Sequence, residues 1–213
     1  MKFPPQRYPR HQASQRGFTL IEALIAFVIL SVGLLGIVSL QAMAKTSQHL
    51  AIQHTRAVTI ADAIVERIRV NPAGIATYNI GVNSALGVSP GGSAPAKDCR
   101  DEADDCDAND LAAHDLWAWE QALLGAGATI GGTNTAGLIE PRGCIVFTAA
   151  PGRTRSGQLS VIVQWRGLHE SYDAVQSGEV VCEDSSDPSA SAGADKFRRQ
   201  VVTNTYVVDE TEF

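Results

Sequence analysis

Apolar residues follow three rhythms along this chain. From Ala23 to Leu40 they are almost continuous, and ALIAFVILSVGLLGIVSL runs 18 residues without a charge, close to the ~20 a helix needs to cross a ~30 Å hydrocarbon layer. Beyond it they recur at helical spacing: Leu50, Ala57, Ala61, Ile64 and Ile68 fall at steps of three, four or their sum, with Val58 and Val65 beside them. No helix breaker intervenes before Asn71-Pro72, and a residue preceding proline avoids the helical region. The pattern therefore predicts one helix from about Phe18 to Val70, ~80 Å long at ~1.5 Å per residue, with only its first half able to lie in lipid. After residue 143 the rhythm becomes that of strands: Cys144 to Thr148, Leu159 to Trp165, Glu179 to Cys182 and Gln200 to Val208. Leu159, Val161, Val163 and Trp165 alternate with Ser160, Ile162 and Gln164, as in a sheet with one face packed on the long helix.

The intervening stretch from Ala73 to Ala96, rich in Gly, Ser, Ala and Pro, reads as a loop crossing the body. A shorter helix follows, capped by Asn109 or Asp110, ending at Gly125, with Ala112, Leu116, Trp119 and Leu123 along one stripe. Trp117 and Trp119 suggest a ligand platform, against which stands a core role for one of them. The expected fold class is α+β, a long N-terminal helix laid across an antiparallel sheet. The helix divides into a membrane half, residues 18–44, and an amphipathic half, residues 45–70, followed by a globular body over 71–213.

Charge adds a direction. Lys2, Arg7, Arg10 and Arg16 place four positive charges and no acid before residue 18, leaving 13 basic against 23 acidic residues beyond it. By the positive-inside rule the head is expected in the cytoplasm and the body outside. An acidic body without a basic stripe argues against a nucleic-acid partner. Cys99, Cys106, Cys144 and Cys182 form no CxxC, so disulfides in an oxidising compartment are favoured over a metal ribbon. Three pairings are open. A bridge from Cys144, which opens one strand, to Cys182, which closes another, would staple the sheet and leave Cys99 with Cys106.

A secretory signal would explain the apolar run, and Ala42-Met43-Ala44 supplies an A-x-A string, but the whole segment exceeds the usual 15 to 30 residues. A plain anchor explains the hydrophobicity and the orientation but not Glu22, since a carboxylate at the edge of a span is costly unless partnered. The string Arg16-Gly17-Phe18-Thr19-Leu20-Ile21-Glu22 resembles the leader junction of type IV pilins and pseudopilins. That resemblance implies a cleaved cytoplasmic leader, residues 1–17, cut by a prepilin peptidase between Gly17 and Phe18. It further implies methylation of the new Phe18 amine by the same enzyme, and an assembly role for Glu22. An amine at Phe18 of one subunit and a carboxylate at Glu22 of another would neutralise each other in an apolar filament core. Within one subunit the same two groups lie about a helical turn apart, so an internal pair is open as well. Ala61 to Pro72, Asp115 to Trp119, Gly143-Cys144-Ile145 and Val161 to Trp165 also resemble minor pilins of the type IV pilus. The expected partners are other minor and major pilins, the expected destination is the pilus at the cell surface, and no cofactor is called for. A minor pseudopilin of type II secretion and a membrane-anchored periplasmic enzyme are the alternatives.

Other candidate chemistry is thin. Gly87-Val88-Ser89-Pro90-Gly91 matches the G-x-S-x-G string of serine hydrolases, but Pro90 has no N–H for an oxyanion hole and no clear strand precedes it. Asp105, Asp107 and Asn109 occupy the first, third and fifth positions of a calcium loop, with Asp110 where Gly and Leu116 where Glu are required. His49 and His54 are five apart and do not share a helix face, and His114 and His169 stand alone. No catalytic or metal-binding residue is expected.

Overall fold

The computed structural model describes residues 17–88, 92–100, 105–171, 182 and 195–213. Its first helix, α1, runs unbroken from Leu20 to Val70 over 51 residues. It starts just after the expected Phe18 because Thr19 begins it, its carbonyl accepting the N–H groups of Glu22 and Ala23 at 3.1 and 3.2 Å. The chain divides into two compact units, residues 1–47 and 48–213.

In the second unit the rest of α1 buries Gln53, Ala57, Ala61, Ile64, Val65 and Ile68. That stripe packs on a four-stranded antiparallel sheet in the order β1-β4-β5-β6, formed by Gly81–Leu86, Arg142–Ala149, Gly157–Arg166 and Arg198–Val207. The three longer strands lie within two residues of their expected bounds. Ile145, Leu159, Val161, Val163, Trp165 and Val207 line the sheet's inner face and join the α1 residues in one core. Each large side chain buried there contributes about 1.5–3 kcal/mol. Helix α3, Ala108–Leu124, closes the core with Ala112, Trp119 and Leu123, and the Trp119 indole N–H donates to the Ile60 carbonyl at 3.1 Å. It ends at Gly125, in the left-handed conformation that suits a helix C-terminus.

The structure departs from the sequence expectations in places. The Ala73 to Ala96 stretch is not all loop: it holds a 3-10 turn Pro72–Gly74, a single helical turn α2 at Ile75–Tyr78, and β1. Ile75 and Tyr78 are buried in the core, and β1 pairs with the edge of β4 through a register break between Gly81 and Leu86. Asp107, not Asn109 or Asp110, caps α3; it accepts the N–H groups of Asn109 and Asp110, both at 2.8 Å, while Asp110 accepts from the Asp107 N–H at 3.2 Å. The outer face of β5 is partly covered as well, since Ile162 and Gln164 are as buried as the inner residues. Lastly, a hairpin that the sequence reading missed joins β2, Thr129–Ile130, to β3, Thr133–Asn134.

The cover on the outer face comes from Cys182, fully buried and disulfide-bonded to Cys144 beside Ile162. With its amide oriented to satisfy both ends, Gln164 donates to the Cys182 carbonyl at 3.1 Å and accepts from the Cys182 N–H at 3.3 Å. Of the strand expected at 179–182 only Cys182 lies among the described residues, and it is not in a strand. The second disulfide joins Cys99 to Cys106.

Candidate functional site

In the first unit, all sixteen large apolar side chains from Phe18 to Met43 are exposed, Phe18 at 76% and Met43 at 69%. No residue of the most apolar 18-residue window is buried, and the helix is long and apolar enough to span a membrane. Left in water, each such side chain forgoes about 1.5–3 kcal/mol of burial, so this surface calls for lipid or for other apolar helices. Small residues break it up. Nothing lies within 4 Å of where a Cβ would stand on Gly33 or Gly36, and the Ser31 hydroxyl is turned back on the Val28 carbonyl at 2.8 Å. Such positions let helices approach closely in lipid. Ala42-Met43-Ala44 lies inside the continuous helix.

Glu22 sits in the first turn of α1, where the helix dipole favours a negative charge, and is exposed. Among the described residues it has no ion-pair partner. Gly17 and Phe18 precede the helix and are exposed, so the junction and the carboxylate stand together at the start of the apolar surface.

In the second unit the buried carboxylates Asp115 and Glu120 are engaged structurally. Asp115 accepts from the Tyr78 hydroxyl at 2.5 Å and pairs with Arg67 at 3.0 Å; burial first, then that bond, push the Tyr78 pKa up. Glu120, also buried, accepts the N–H groups of Gly87 at 3.2 Å and Gly92 at 3.0 Å. It thereby holds both flanks of the G-x-S-x-G string, whose residues 89–91 lie outside the described ones. A strand, β1, does precede that string, contrary to the sequence reading.

The calcium-loop positions are engaged elsewhere: Asp107 caps α3, and Asn109 accepts from the Thr77 hydroxyl at 2.9 Å. Lys97 donates to Asp110 at 2.5 Å, which holds the Asp110 carboxyl below its usual pKa range. Among the described residues no group of three or more His, Cys, Asp or Glu side chains could hold a metal. The His54 ring meets Trp165 edge-on at 6.0 Å, and His114 Nε2 lies 3.3 Å from Asp98. An apolar groove of about 520 Å³ follows α1, lined by Ile52, Thr55, Thr59, Ile60, Ala122 and Ala136. Sequence reasoning missed Glu120 and the hairpin. The hairpin had a signal, since Gly131-Gly132 between Thr-Ile and Thr-Asn is a two-residue turn pattern.

Residues 39–117 match the family model of the type IV pilin Tt1218, and residues 12–38 match that of the prokaryotic N-terminal methylation motif. No curated protein and no solved structure matches the chain. Over those residues the chain is similar to type IV pilins and carries a prokaryotic N-terminal methylation motif.

Proposed function

We propose that this chain is a minor pilin of a type IV pilus, similar to PilV. It is made as a single-pass inner-membrane precursor with its body in the periplasm. Residues 1–17 are the leader, removed by prepilin peptidase between Gly17 and Phe18, and the Phe18 amine is then methylated. Residues 18–44 serve first as anchor and then as assembly seam, residues 45–70 join the seam to the body, and residues 71–213 present a partner surface. The subunit enters the pilus, or the complex that primes it, beside other minor and major pilins, and supports pilus display, adhesion and twitching. No reaction centre is part of this reading.

One observation carries it: an exposed apolar helix that begins directly after Gly17-Phe18 and holds a carboxylate, Glu22, in its first turn. In an apolar filament that carboxylate needs a cation. The amine of a neighbour's Phe18 supplies it and fixes axial register. The groove along α1 gives a neighbouring helix a second seat.

The test is mass spectrometry of the mature N-terminus from cells with and without prepilin peptidase. A methylated Phe18 start that needs the peptidase is the expected result; a start at Met1 or after Ala44 ends the proposal. Recovery in sheared pili, with loss of twitching on deletion, separates a pilus subunit from a pseudopilin, whose deletion would block secretion instead.

A further inference from the structure

The second unit holds a pocket of about 540 Å³ that the assembly reading does not use. Trp117 and Gln121 of α3, Gly92 of the loop before it, and Thr133 and Asn134 of the hairpin line it. Trp117 and Gln121 stand four apart on α3, so their side chains lie one above the other on the same face. The indole is fixed from two sides: its N–H donates to the Gly92 carbonyl at 3.1 Å, and the His114 ring lies 5.8 Å away, tilted by 55°. Gly92 is itself held by Glu120. Half-buried, the indole keeps part of its surface open.

The hairpin is itself well defined. Gly131 and Gly132, at φ +60° and +82°, make the tight turn of the hairpin. Its base is closed by the Thr135 N–H and hydroxyl, which both donate to the Ala128 carbonyl, at 2.8 and 3.0 Å. Among the described residues neither the Gln121 nor the Asn134 amide makes a hydrogen bond, and the described lining carries no charged side chain.

This composition selects a ligand class. A purely apolar ligand would cover two amides without satisfying them, at a cost of about 1–3 kcal/mol each. A charged ligand would find no counter-charge. A ring with an apolar C–H face and hydroxyls along its edge meets both demands, because an amide offers a donor and an acceptor side by side and the indole offers a rigid apolar face. We propose that this pocket binds a neutral saccharide, one ring stacked on Trp117 and its hydroxyls shared between Gln121 and Asn134.

The experiment uses the full chain in a detergent without a sugar headgroup. Lactose, maltose, mannobiose and diacetylchitobiose are titrated in turn, followed by tryptophan emission and saturation-transfer NMR. Expected is saturable binding of at least one disaccharide, with Kd on the order of 1 mM, the weak end of specific recognition. Trp117→Ala should weaken it about tenfold or more, Trp117→Phe should restore most of it, and Gln121→Ala and Asn134→Ala should each weaken it severalfold. The last two are surface changes that leave the near-UV circular dichroism intact, so the proposal can be tested even if Trp117→Ala fails to fold. No binding of any disaccharide, binding unchanged in these variants, or capture of an extended peptide with no saccharide binding would overturn it. So would tighter binding of a sialylated or uronic acid sugar than of its neutral counterpart.

Discussion

The C-terminal residues show how single side chains fix chain geometry. Glu212 accepts the Thr154 N–H at 2.8 Å, the Thr154 hydroxyl at 2.9 Å and the Arg155 N–H at 2.9 Å, so the end of the chain clasps the turn between β4 and β5. Arg155 pairs with Asp209 at 2.9 Å, and Arg153 lies 3.9 Å over the Phe213 ring. Hydrogen bonding, from the Ser156 side chain first and then the Thr154 and Arg155 groups, lowers the Glu212 pKa from 4.5 to about 2. A depressed carboxylate binds its proton more readily in the unfolded chain. The stabilisation is thus complete above about 4.5 and is lost as pH falls through about 2. Glu212→Gln should lower the urea midpoint at neutral pH, and the gap from wild type should close across that acid window; a gap independent of pH would dismiss the clasp. Gly143 makes a different point, because a Cβ there would stand 2.6 Å from the Trp119 ring and 2.7 Å from Leu123. Gly143→Ala should cost about 1–3 kcal/mol by overpacking, read from the same urea curves.

At the scale of elements, what was legible in the sequence is what local pattern decides. Helix α1 could be read because nothing breaks it before Asn71-Pro72, and β5 because Leu159, Val161, Val163 and Trp165 recur at every second position. Strand β1 could not, because Gly81 to Leu86 has the composition of a loop and becomes a strand only by pairing with β4. The α3 cap was misplaced because Asp107, Asn109 and Asp110 are all capable of capping, and the choice falls to the reciprocal bond between Asp107 and Asp110. Burial of Ile162 and Gln164 was hidden because a Cys144–Cys182 bridge read from sequence does not say which face of the sheet Cys182 covers. Of the candidate site, the junction from Gly17 to Glu22 was plain as a contiguous string, whereas the Trp117 pocket needs a hairpin brought against α3. The two disulfides should differ in weight. Cys144–Cys182 spans a separation of 38 and Cys99–Cys106 one of 7. Chain entropy then predicts losses of about 4 and about 2.5 kcal/mol for the respective Cys→Ser pairs, and urea unfolding should rank them in that order.

For the whole molecule, being held in a membrane and being built into a filament make opposite demands on residue 22. An anchor is improved by removing a carboxylate from the edge of its span, since a charge there is a cost. A filament subunit is damaged by the same change, because the neighbour's terminal amine loses its counter-charge in an apolar core. Glu22→Ala should therefore leave membrane fractionation unchanged or stronger, while the share of the protein recovered in sheared pili falls about tenfold or more, the loss expected when a buried charge is left unpaired. Leu24→Lys probes the neighbouring exposed surface and adds about 2.5–3.5 kcal/mol to insertion at the centre of a span, less near its edge. It should reduce both fractions, the pilus fraction more, because a cation on a helix-packing face can escape to the lipid headgroups in the membrane but not inside a filament. Quantitative immunoblots of membrane and sheared-pilus fractions read both variants in one experiment. Equal recovery of Glu22→Ala and wild type in pili would reduce α1 to an anchor and move the assembly determinant to the body surface.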